Sequence, residues 1–200
     1  MKIIAFEGLD ASGKATQTAM LVQKLKDQGH LTATIAFPRY DQPIGTLIRQ
    51  WLQGEVSLTT EAAHMLYEAD RQDFMCWIDR YEQTGIDYLV IDRYTLSNLA
   101  FGTARDVNLD WLQGLQNKIR QPDITFVLDV SPKTSFKRRP ERQDKNEKDF
   151  SLLLRSRMAY RSLAKTLPYD SDQLIFMLDA NGSPEAIHEA VMTFIDNGFV

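Results

Sequence analysis

Residues 8 to 16 read Gly-Leu-Asp-Ala-Ser-Gly-Lys-Ala-Thr and follow an apolar run, residues 2–6, that is typical of a strand. The glycines at positions 8 and 13 permit backbone angles that residues with a Cβ rarely adopt, so successive N–H groups can turn inward around phosphate oxygens. Lys14 adds a positive charge that can reach the outer phosphates, and the helix that follows points its positive dipole end at the same place. The spacing therefore predicts a phosphate-binding loop over residues 8–16, and the alternative is a glycine-rich turn without a ligand.

The residue after Lys14 is Ala15, at the position where a Ser or Thr hydroxyl usually contacts Mg²⁺ in such loops. Thr16 can still bond a phosphate, so part of the metal ligation is expected from elsewhere. Mg²⁺ prefers hard oxygen ligands and often keeps several waters, which makes Asp10 inside the loop the first candidate. Asp92, at the end of a later apolar run, can hold a magnesium-bound water or orient Lys14, and its alternative role is a helix N-cap.

Charged and aromatic residues also follow the other apolar runs. Phe37-Pro38-Arg39-Tyr40 comes after the second run, Asp92-Arg93-Tyr94 after the third, and a basic stretch after the fourth. A guanidinium presents two parallel donors to phosphate oxygens, so Arg93 is expected to clamp a phosphate, and the alternative is a solvated surface arginine. Because ligands of parallel sheets bind at the carboxyl ends of the strands, we expect these residues to converge on one crevice.

Apolar runs and helical patterns alternate along the chain. Runs typical of strands are residues 2–6, 31–37, 87–91, 124–129 and 173–178, and helical patterns cover about 14–28, 44–53, 60–83, 95–120 with a break, 150–166 and 183–196. Continuous apolar strands separated by helices indicate a parallel sheet that is covered on both faces. We predict one α/β domain over residues 1–200, built on a five-stranded parallel sheet with helices on both faces.

Two further patterns carry possible binding groups. Tyr67 and Arg71 lie four residues apart on one face of the 60–83 helix, where they can stack on and hydrogen-bond a nucleobase; a core tyrosine with a surface-paired arginine is the alternative. The stretch from Lys133 to Lys148 contains seven Lys or Arg and three Asp or Glu. A segment this polar is expected to stay at the surface as a mobile lid over about 135–150, which brings arginines onto developing charge; a solvated loop is the alternative.

The bulk composition excludes several classes of protein. Two hundred residues with 44% hydrophobic content suffice for one core, and no apolar run is long enough to span a membrane. A net charge of −4 argues against a general nucleic-acid binder, which would carry a broad basic face. The single cysteine, Cys76, cannot form an internal disulfide, and no signal peptide precedes the first strand, so a cytoplasmic location is expected.

Taken together, these motifs make the chain resemble the thymidylate kinases, P-loop enzymes that phosphorylate dTMP with ATP. The resemblance covers nearly the whole length and rests on residues 6–17, 37–40, 92–94 and 97–98. It implies the P-loop kinase fold, transfer of the ATP γ-phosphoryl group to dTMP with Mg²⁺, and a homodimer packed through helices. Alternatives are a kinase for another nucleoside monophosphate or for a deoxynucleoside, and a nucleotide-binding regulator without catalysis.

The resemblance also implies roles for individual residues. ATP would be bound by Gly8, Asp10, Ala11, Ser12, Gly13, Lys14, Ala15, Thr16 and Asn181. The residues implied to bind dTMP are Asp10, Phe37, Arg39, Tyr40, Tyr67, Arg71, Arg93, Asn98 and Phe101. Because the phosphate loop contains no arginine, catalysis would fall to Lys14, Arg93 and the lid arginines Arg138, Arg139 and Arg142. The implied magnesium ligands are Asp10, Asp92 and Glu147.

Overall fold

The computed structural model of the chain describes residues 1–141, 144–167 and 173–196. Its strands are β1 (Lys2–Gly8), β2 (Thr32–Ala36), β3 (Tyr88–Asp92), β4 (Ile124–Asp129) and β5 (Leu174–Asp179). All pairings are parallel, and the strand order is β2-β3-β1-β4-β5. The predicted five-stranded parallel sheet is confirmed. The strand that leads into the phosphate loop, β1, lies at its centre between β3 and β4.

Ten helices complete the described part of the chain. They are α1 (Lys14–Asp27), α2 (Pro43–Gln53), α3 (Thr60–Asp73), α4 (Met75–Gln83), α5 (Thr95–Thr103), α6 (Leu109–Leu115), α7 (Pro132–Arg138), α8 (Lys145–Lys148), α9 (Phe150–Thr166) and α10 (Pro184–Phe194). Local sequence explains several starts: the hydroxyls of Ser131 and Ser183 cap α7 and α10, each followed by proline at the first helical position. None of the described helices is long and apolar enough to cross a membrane.

Helices cover both faces of the sheet, as predicted. Ile4 of β1 belongs to a buried cluster with Leu21 of α1, whereas its neighbour Ile3 belongs to a second cluster with Ile78 of α4. Successive side chains of a strand point to opposite faces, so these two clusters lie on the two sides of the sheet. Both strands that flank β1 are largely buried, and their carboxyl ends therefore meet at one edge of a rigid core.

The 60–83 pattern is divided into two helices at Phe74. The Phe74 N–H donates to the Arg71 carbonyl oxygen and the Trp77 N–H donates to that of Phe74, both with the i to i+3 spacing of a tight turn. The turn buries the Phe74 ring edge-to-face against Phe37, with ring centroids 5.6 Å apart. The hydrophobic periodicity of the sequence does not predict such a break, because the break is caused by a long-range contact with the loop after β2.

The described residues of the basic stretch 133–148 form helical turns that contact the rest of the molecule. The stretch contains α7 and α8, and the side chains of Ser135, Asn146 and Glu147 are buried. Burial is possible because these groups have hydrogen-bond partners: for example, the Ser135 hydroxyl donates to the Asp10 carbonyl oxygen at 2.6 Å. Parts of the expected lid are thus packed against the phosphate loop and the neighbouring helices.

Candidate active site

The phosphate loop leaves β1 at Gly8 and enters α1 at Lys14. Gly8 has a φ of 131°, and a Cβ at this position would lie 2.5 Å from the carbonyl oxygen of Leu128 in β4. Gly13, with a φ of 103°, is the N-cap of α1. Both positions need backbone angles that favour glycine, so the loop can turn its amides toward the N-terminus of the helix, where an anion is stabilised.

The other loop residues differ in exposure. Ser12 is fully buried, and its Oγ has no hydrogen-bond partner within the described residues. Ala15 and Thr16 lie exposed on the first turn of α1, and Ala11 has a φ of 57°. A buried hydroxyl without a partner is costly unless a ligand bonds to it, so Ser12 offers a polar group to a ligand in the loop.

The Lys14 side chain is folded into the loop. Its Nζ donates to the carbonyl oxygens of Gly8, at 3.3 Å, and Leu9, at 2.8 Å, and the residue is 6% exposed. Burial, and then the nearby positive charge of Arg93, lower the pKa of Lys14 to about 8. An anionic ligand in the loop would favour the charged form and raise this pKa again.

Arg93 lies on the other side of the same loop, directly after β3. Its φ is 64°, in the left-handed region that non-glycine residues seldom occupy. Its guanidinium donates to the Gly8 carbonyl oxygen at 3.0 Å and to the Asp10 carboxylate at 2.6 Å, and it lies over the Phe101 ring. Burial opposes the charge, but Asp10 and other acidic groups raise the pKa of Arg93 above its ordinary value, so the group stays charged.

A buried carboxylate, that of Glu7, holds the turn that carries Arg93. Its oxygens accept hydrogen bonds from the N–H groups of Tyr94, at 2.8 Å, and Ser97, at 3.0 Å, and from the hydroxyls of Ser97 and Tyr160. These N–H groups belong to the start of α5, where the helix itself offers no acceptor, so a side chain of β1 caps this helix. Burial raises the pKa of Glu7, and the hydrogen bonds from Ser97 and Tyr94 oppose that rise.

A cleft opens beside Arg93 and the phosphate loop, and both polar and apolar side chains line it. Eight of the nine residues expected to bind dTMP line it: Asp10, Phe37, Tyr40, Tyr67, Arg71, Arg93, Asn98 and Phe101. Its wall is completed by Pro38, Leu52, His64, Ser97, Arg105, Asp144 and Asn146. The residues that follow the strands thus line one cleft, and α3 and the turn α8 form its outer walls.

Arg71 forms the charged part of the α3 wall. It is 2% exposed, its Nη1 donates to the Tyr67 carbonyl oxygen at 3.0 Å, and it lies 3.4 Å from the Glu68 carboxylate. Its guanidinium carbon lies 5.7 Å from the centroid of the Phe37 ring. The Nε atom has no hydrogen-bond partner within the described residues, which leaves a buried donor for a polar ligand atom.

His64 and Asn98 form a buried neutral pair beside Arg71. His64 Nδ1 lies 2.5 Å from Asn98 Oδ1, and the Asn98 amide donates to the His64 carbonyl oxygen. Burial lowers the pKa of His64 to about 4, although the hydrogen bond to Asn98 opposes this shift. The imidazole is therefore neutral near pH 7, with the proton on Nδ1 because the amide oxygen can only accept.

Arg39 does not line the cleft. Its Nε donates to the Asp70 carboxylate at 2.9 Å, and its Nη2 donates to the Asp70 carbonyl oxygen at 2.8 Å and to the Asp73 carboxylate at 2.7 Å. These bonds attach the loop after β2, which contains the cis peptide between Phe37 and Pro38, to α3. The structure thus places Arg39 behind the cleft wall, as a brace for residues that do face the cleft.

Two of the three expected lid arginines fall within the described residues. Arg138, at the end of α7, donates to the Gly182 carbonyl oxygen at 3.0 Å. Arg139, the next residue, donates to the Glu147 carboxylate of α8 at 3.1 Å. Arg142 lies outside the described residues. Arg138 and Arg139 therefore point in different directions. Arg138 points to the loop after β5, and Arg139 points to α8.

Asn181 lies in the loop after β5. Its Nδ2 donates to the Asp179 carboxylate at 2.5 Å, and its Oδ1 accepts from the Ser131 N–H at 3.4 Å. Arg138 lies 3.5 Å from the Ala11 carbonyl oxygen and links this loop to the phosphate loop. The residues expected on the ATP side therefore form one continuous rim at the carboxyl ends of β1, β4 and β5.

Comparison with known proteins agrees with this geometry. A sequence model of the family described as thymidylate kinase matches residues 6–191. The chain belongs to this family. A thymidylate kinase of Schizosaccharomyces pombe is 28% identical over 98% of this chain and 92% of its own length, and that of Homo sapiens is 30% identical over 94% and 87%. A solved thymidylate kinase structure from Candida albicans has a TM-score of 0.84 at 24% identity, covering 98% of this chain and 91% of that one, and has the same fold.

The magnesium ligands expected for the thymidylate kinase family do not form a cluster. Within the described residues, no group of three or more His, Cys, Asp or Glu could hold a metal ion by itself. Asp10 is paired with Arg93 and Glu147 with Arg139, whereas Asp92 is a half-buried carboxylate whose charge acts on the loop lysine. Mg²⁺ that is bound mainly through phosphates and water needs only one or two carboxylates, so the donor set fits.

Glu7, His64, Arg105 and Tyr160 belong to the site but were not among the residues expected from the sequence. Glu7 carries a recognisable signal, because a carboxylate inside an apolar strand must be buried and hydrogen-bonded. The other three carry no local signal, since they reach the site from α3, from the turn after α5 and from α9. Only the packing of these elements brings them together.

We expect Glu7→Gln to lower the free energy of unfolding by about 2–5 kcal/mol, because the new amide directs a donor at buried N–H and hydroxyl donors. Glu82→Gln makes the same change at an exposed carboxylate that pairs with Arg120, and it should leave the stability nearly unchanged. Urea denaturation of both variants measures the difference. A Glu7→Gln unfolding curve that overlies the wild-type curve would contradict the role given to Glu7.

Proposed function

We propose that the chain transfers the γ-phosphoryl group of ATP to dTMP. The observation that supports this most directly is the Gly8 carbonyl oxygen, to which both Lys14 and Arg93 donate. Lys14 of the donor loop and Arg93 of the acceptor cleft are thereby both hydrogen-bonded to the same atom. Two phosphates held by these groups would lie next to each other, which is what in-line transfer between them requires.

The roles of the residues follow from the charges that must be held. Lys14 and the loop amides hold the donor phosphates, and Arg93 holds the acceptor phosphate at the mouth of the cleft. The attacking phosphate oxygen is already anionic, so no strong general base is needed, and catalysis consists of positioning and charge stabilisation. Mg²⁺, when bound, would neutralise charge on the donor phosphates, and Asp92 and Asp10 are the carboxylates that would hold it.

The cleft supports a pyrimidine acceptor. Arg71 offers a buried Nε donor to a carbonyl oxygen of the base, and the rings of Phe37 and Tyr67 offer flat apolar walls. Asn98, held by His64, adds a fixed amide to the same wall. We assign Arg39 to bracing the Phe37 loop, because its Nε and Nη2 already donate to Asp70 and Asp73 of α3.

A panel of acceptors tests the proposed reaction. The purified chain is assayed with ATP and Mg²⁺ against thymidine, dTMP, dUMP, UMP, dCMP and dGMP, with ADP formation as the readout. We expect the highest kcat/KM for dTMP. A preference for thymidine would point to a deoxynucleoside kinase, and ATP binding without ADP formation from any acceptor would point to a regulator.

Lys14 gives the reaction a pH dependence. In the ligand-free protein this lysine loses its proton as the pH rises through about 8. Because kcat/KM reports the groups of the free enzyme, we expect kcat/KM for ATP to fall as the pH rises above about 8, while kcat falls only at higher pH. Lys14→Arg removes this titration, so its residual kcat/KM should not change over that range. A wild-type profile that stays level above the pKa of Lys14 would be incompatible with this role.

The lid arginines are expected to act mainly on the chemical step. We predict that Arg139→Ala or Arg142→Ala lowers kcat far more than it raises KM for dTMP, since loss of a transition-state arginine costs on the order of 10³-fold in rate. Lys133→Ala, at an exposed basic residue of the same segment, serves as the control and should keep wild-type kinetics. Near-wild-type turnover in the Arg138/Arg139/Arg142 triple alanine variant would refute the assignment of catalytic charge to the lid.

Two further properties are proposed from exposed side chains. Met65 of α3 is 53% exposed and Trp77 of α4 is 43% exposed, and we propose that exposed apolar side chains of these helices pack in a homodimer. Light scattering of the purified chain decides between monomer and dimer.

The free Cys76 is exposed, which fits a reducing compartment. We propose that the protein lies in the cytoplasm, and localising the tagged chain in cells checks this.

A further inference from the structure

The turn α8 is packed tightly although it contains only four residues. Asp144 caps it, accepting from the N–H groups of Asn146, at 2.8 Å, and Glu147, at 2.9 Å. Asn146 is 9% exposed and Glu147 is 4% exposed. A single helical turn does not bury its own side chains, so the surfaces that cover it belong to other elements.

Arg105, in the turn between α5 and α6, provides one of these surfaces. It lines the cleft, and its Nη2 donates to the Asn146 Oδ1 at 2.6 Å. Within the described residues no carboxylate lies within ion-pair distance of its guanidinium, and burial lowers the pKa of Arg105. Tyr67, Asp149 and Asp144 oppose this shift, and the hydrogen-bond acceptor that the guanidinium reaches within the described residues is the amide oxygen of Asn146.

The indole of Trp51, at the end of α2, provides the second surface. The Nζ of Lys145 lies 3.5 Å from the centroid of the indole and the Arg105 guanidinium carbon lies 5.9 Å from it. Two cations that share one ring repel each other, and the charge of Asp144 beside them opposes the repulsion. The ring also meets Tyr67 edge-to-face, with centroids 6.4 Å apart, so the contact is continuous with the cleft wall.

We propose that Arg105 and Trp51 form a latch that holds the α8 turn closed over the acceptor cleft. The latch is a positioning device, because neither residue needs to touch the reacting atoms. Asn146 engages Arg105, and the next residue, Glu147, engages Arg139. Closing the turn over the acceptor therefore also fixes the position of a lid arginine. This coupling rests on the proposed function, whereas the docking of α8 on Trp51 does not.

A fluorescence measurement tests the docking without turnover. In a Trp77→Phe/Trp111→Phe background, Trp51 is the one remaining indole of the chain's three tryptophans, and it is 5% exposed. We expect Arg105→Ala and Asn146→Ala each to raise acrylamide quenching of Trp51 by about twofold or more and to shift its emission to the red, because the turn opens more often. Arg155→Ala, an exposed arginine whose charge also acts on Arg105, is the matched control and should leave both signals unchanged.

Kinetics test the coupling to the lid arginine. We expect Arg105→Ala and Asn146→Ala each to lower kcat for dTMP about tenfold, with KM for ATP within about twofold of wild type. The double variant should be no worse than either single variant, because both changes open the same contact. Arg105→Lys, which keeps the charge and one donor, should recover part of the rate.

The outcomes separate the latch from the proposed reaction. Trp51 quenching equal to that of the Arg155→Ala control in both latch variants would overturn the latch, as would rate losses that multiply in the double variant. If Arg105→Ala does not fold, Asn146→Ala decides the matter alone, since it removes only a side chain of the outer turn. Absence of phosphoryl transfer by the wild-type chain would instead refute the proposed function and leave the quenching result to decide the docking.

Discussion

The active site depends on one backbone atom, the carbonyl oxygen of Gly8. It accepts a hydrogen bond from Lys14 and another from Arg93, which uses both lone pairs of the oxygen. Two buried cations would repel each other at this distance, and the carboxylates of Asp10 and Asp92 offset the repulsion. The position of Gly8 is fixed in turn by β4, whose backbone leaves no room for a Cβ at this residue. The phosphate loop and the cleft are thereby held at a fixed position relative to each other.

This arrangement requires strain, which the surrounding network compensates. Arg93 occupies a left-handed backbone conformation that costs on the order of 1–3 kcal/mol. Glu7 offsets this cost, because its buried carboxylate accepts hydrogen bonds from Tyr94, Ser97 and Tyr160 on the far side of the turn. β1 thus leads into the phosphate loop at its end and carries, one residue before, the carboxylate that anchors the Arg93 turn. Because one strand supports both, the distance between the phosphate loop and the Arg93 turn does not depend on the surface loops.

The positions whose backbone geometry could be expected from the sequence are those whose chemistry is local. Gly8, Gly13 and Lys14 lie within seven residues, and their backbone angles and charge carry the signal by themselves. Arg39 differs, because an arginine after a strand can face either a ligand phosphate or a carboxylate of its own chain. Here Asp70 and Asp73 of α3 engage it, so it lies behind the cleft. Hydrogen bonds from Arg105 and Arg139 allow Asn146 and Glu147 of the basic segment to be buried, which its composition does not indicate.

By itself, the sequence determined the α/β architecture, the phosphate loop and the set of residues at the strand ends, because periodicity and glycine spacing act over a few residues. Tertiary structure alone decided which of these residues face one another. Arg105 and Asn146 are hydrogen-bonded although they are 41 positions apart in the sequence, and Glu7 and Tyr160 are hydrogen-bonded although they are 153 positions apart. Such contacts depend on strand order and helix packing, which many residues set together. The chemistry of the site was therefore readable along the chain, but its geometry was not.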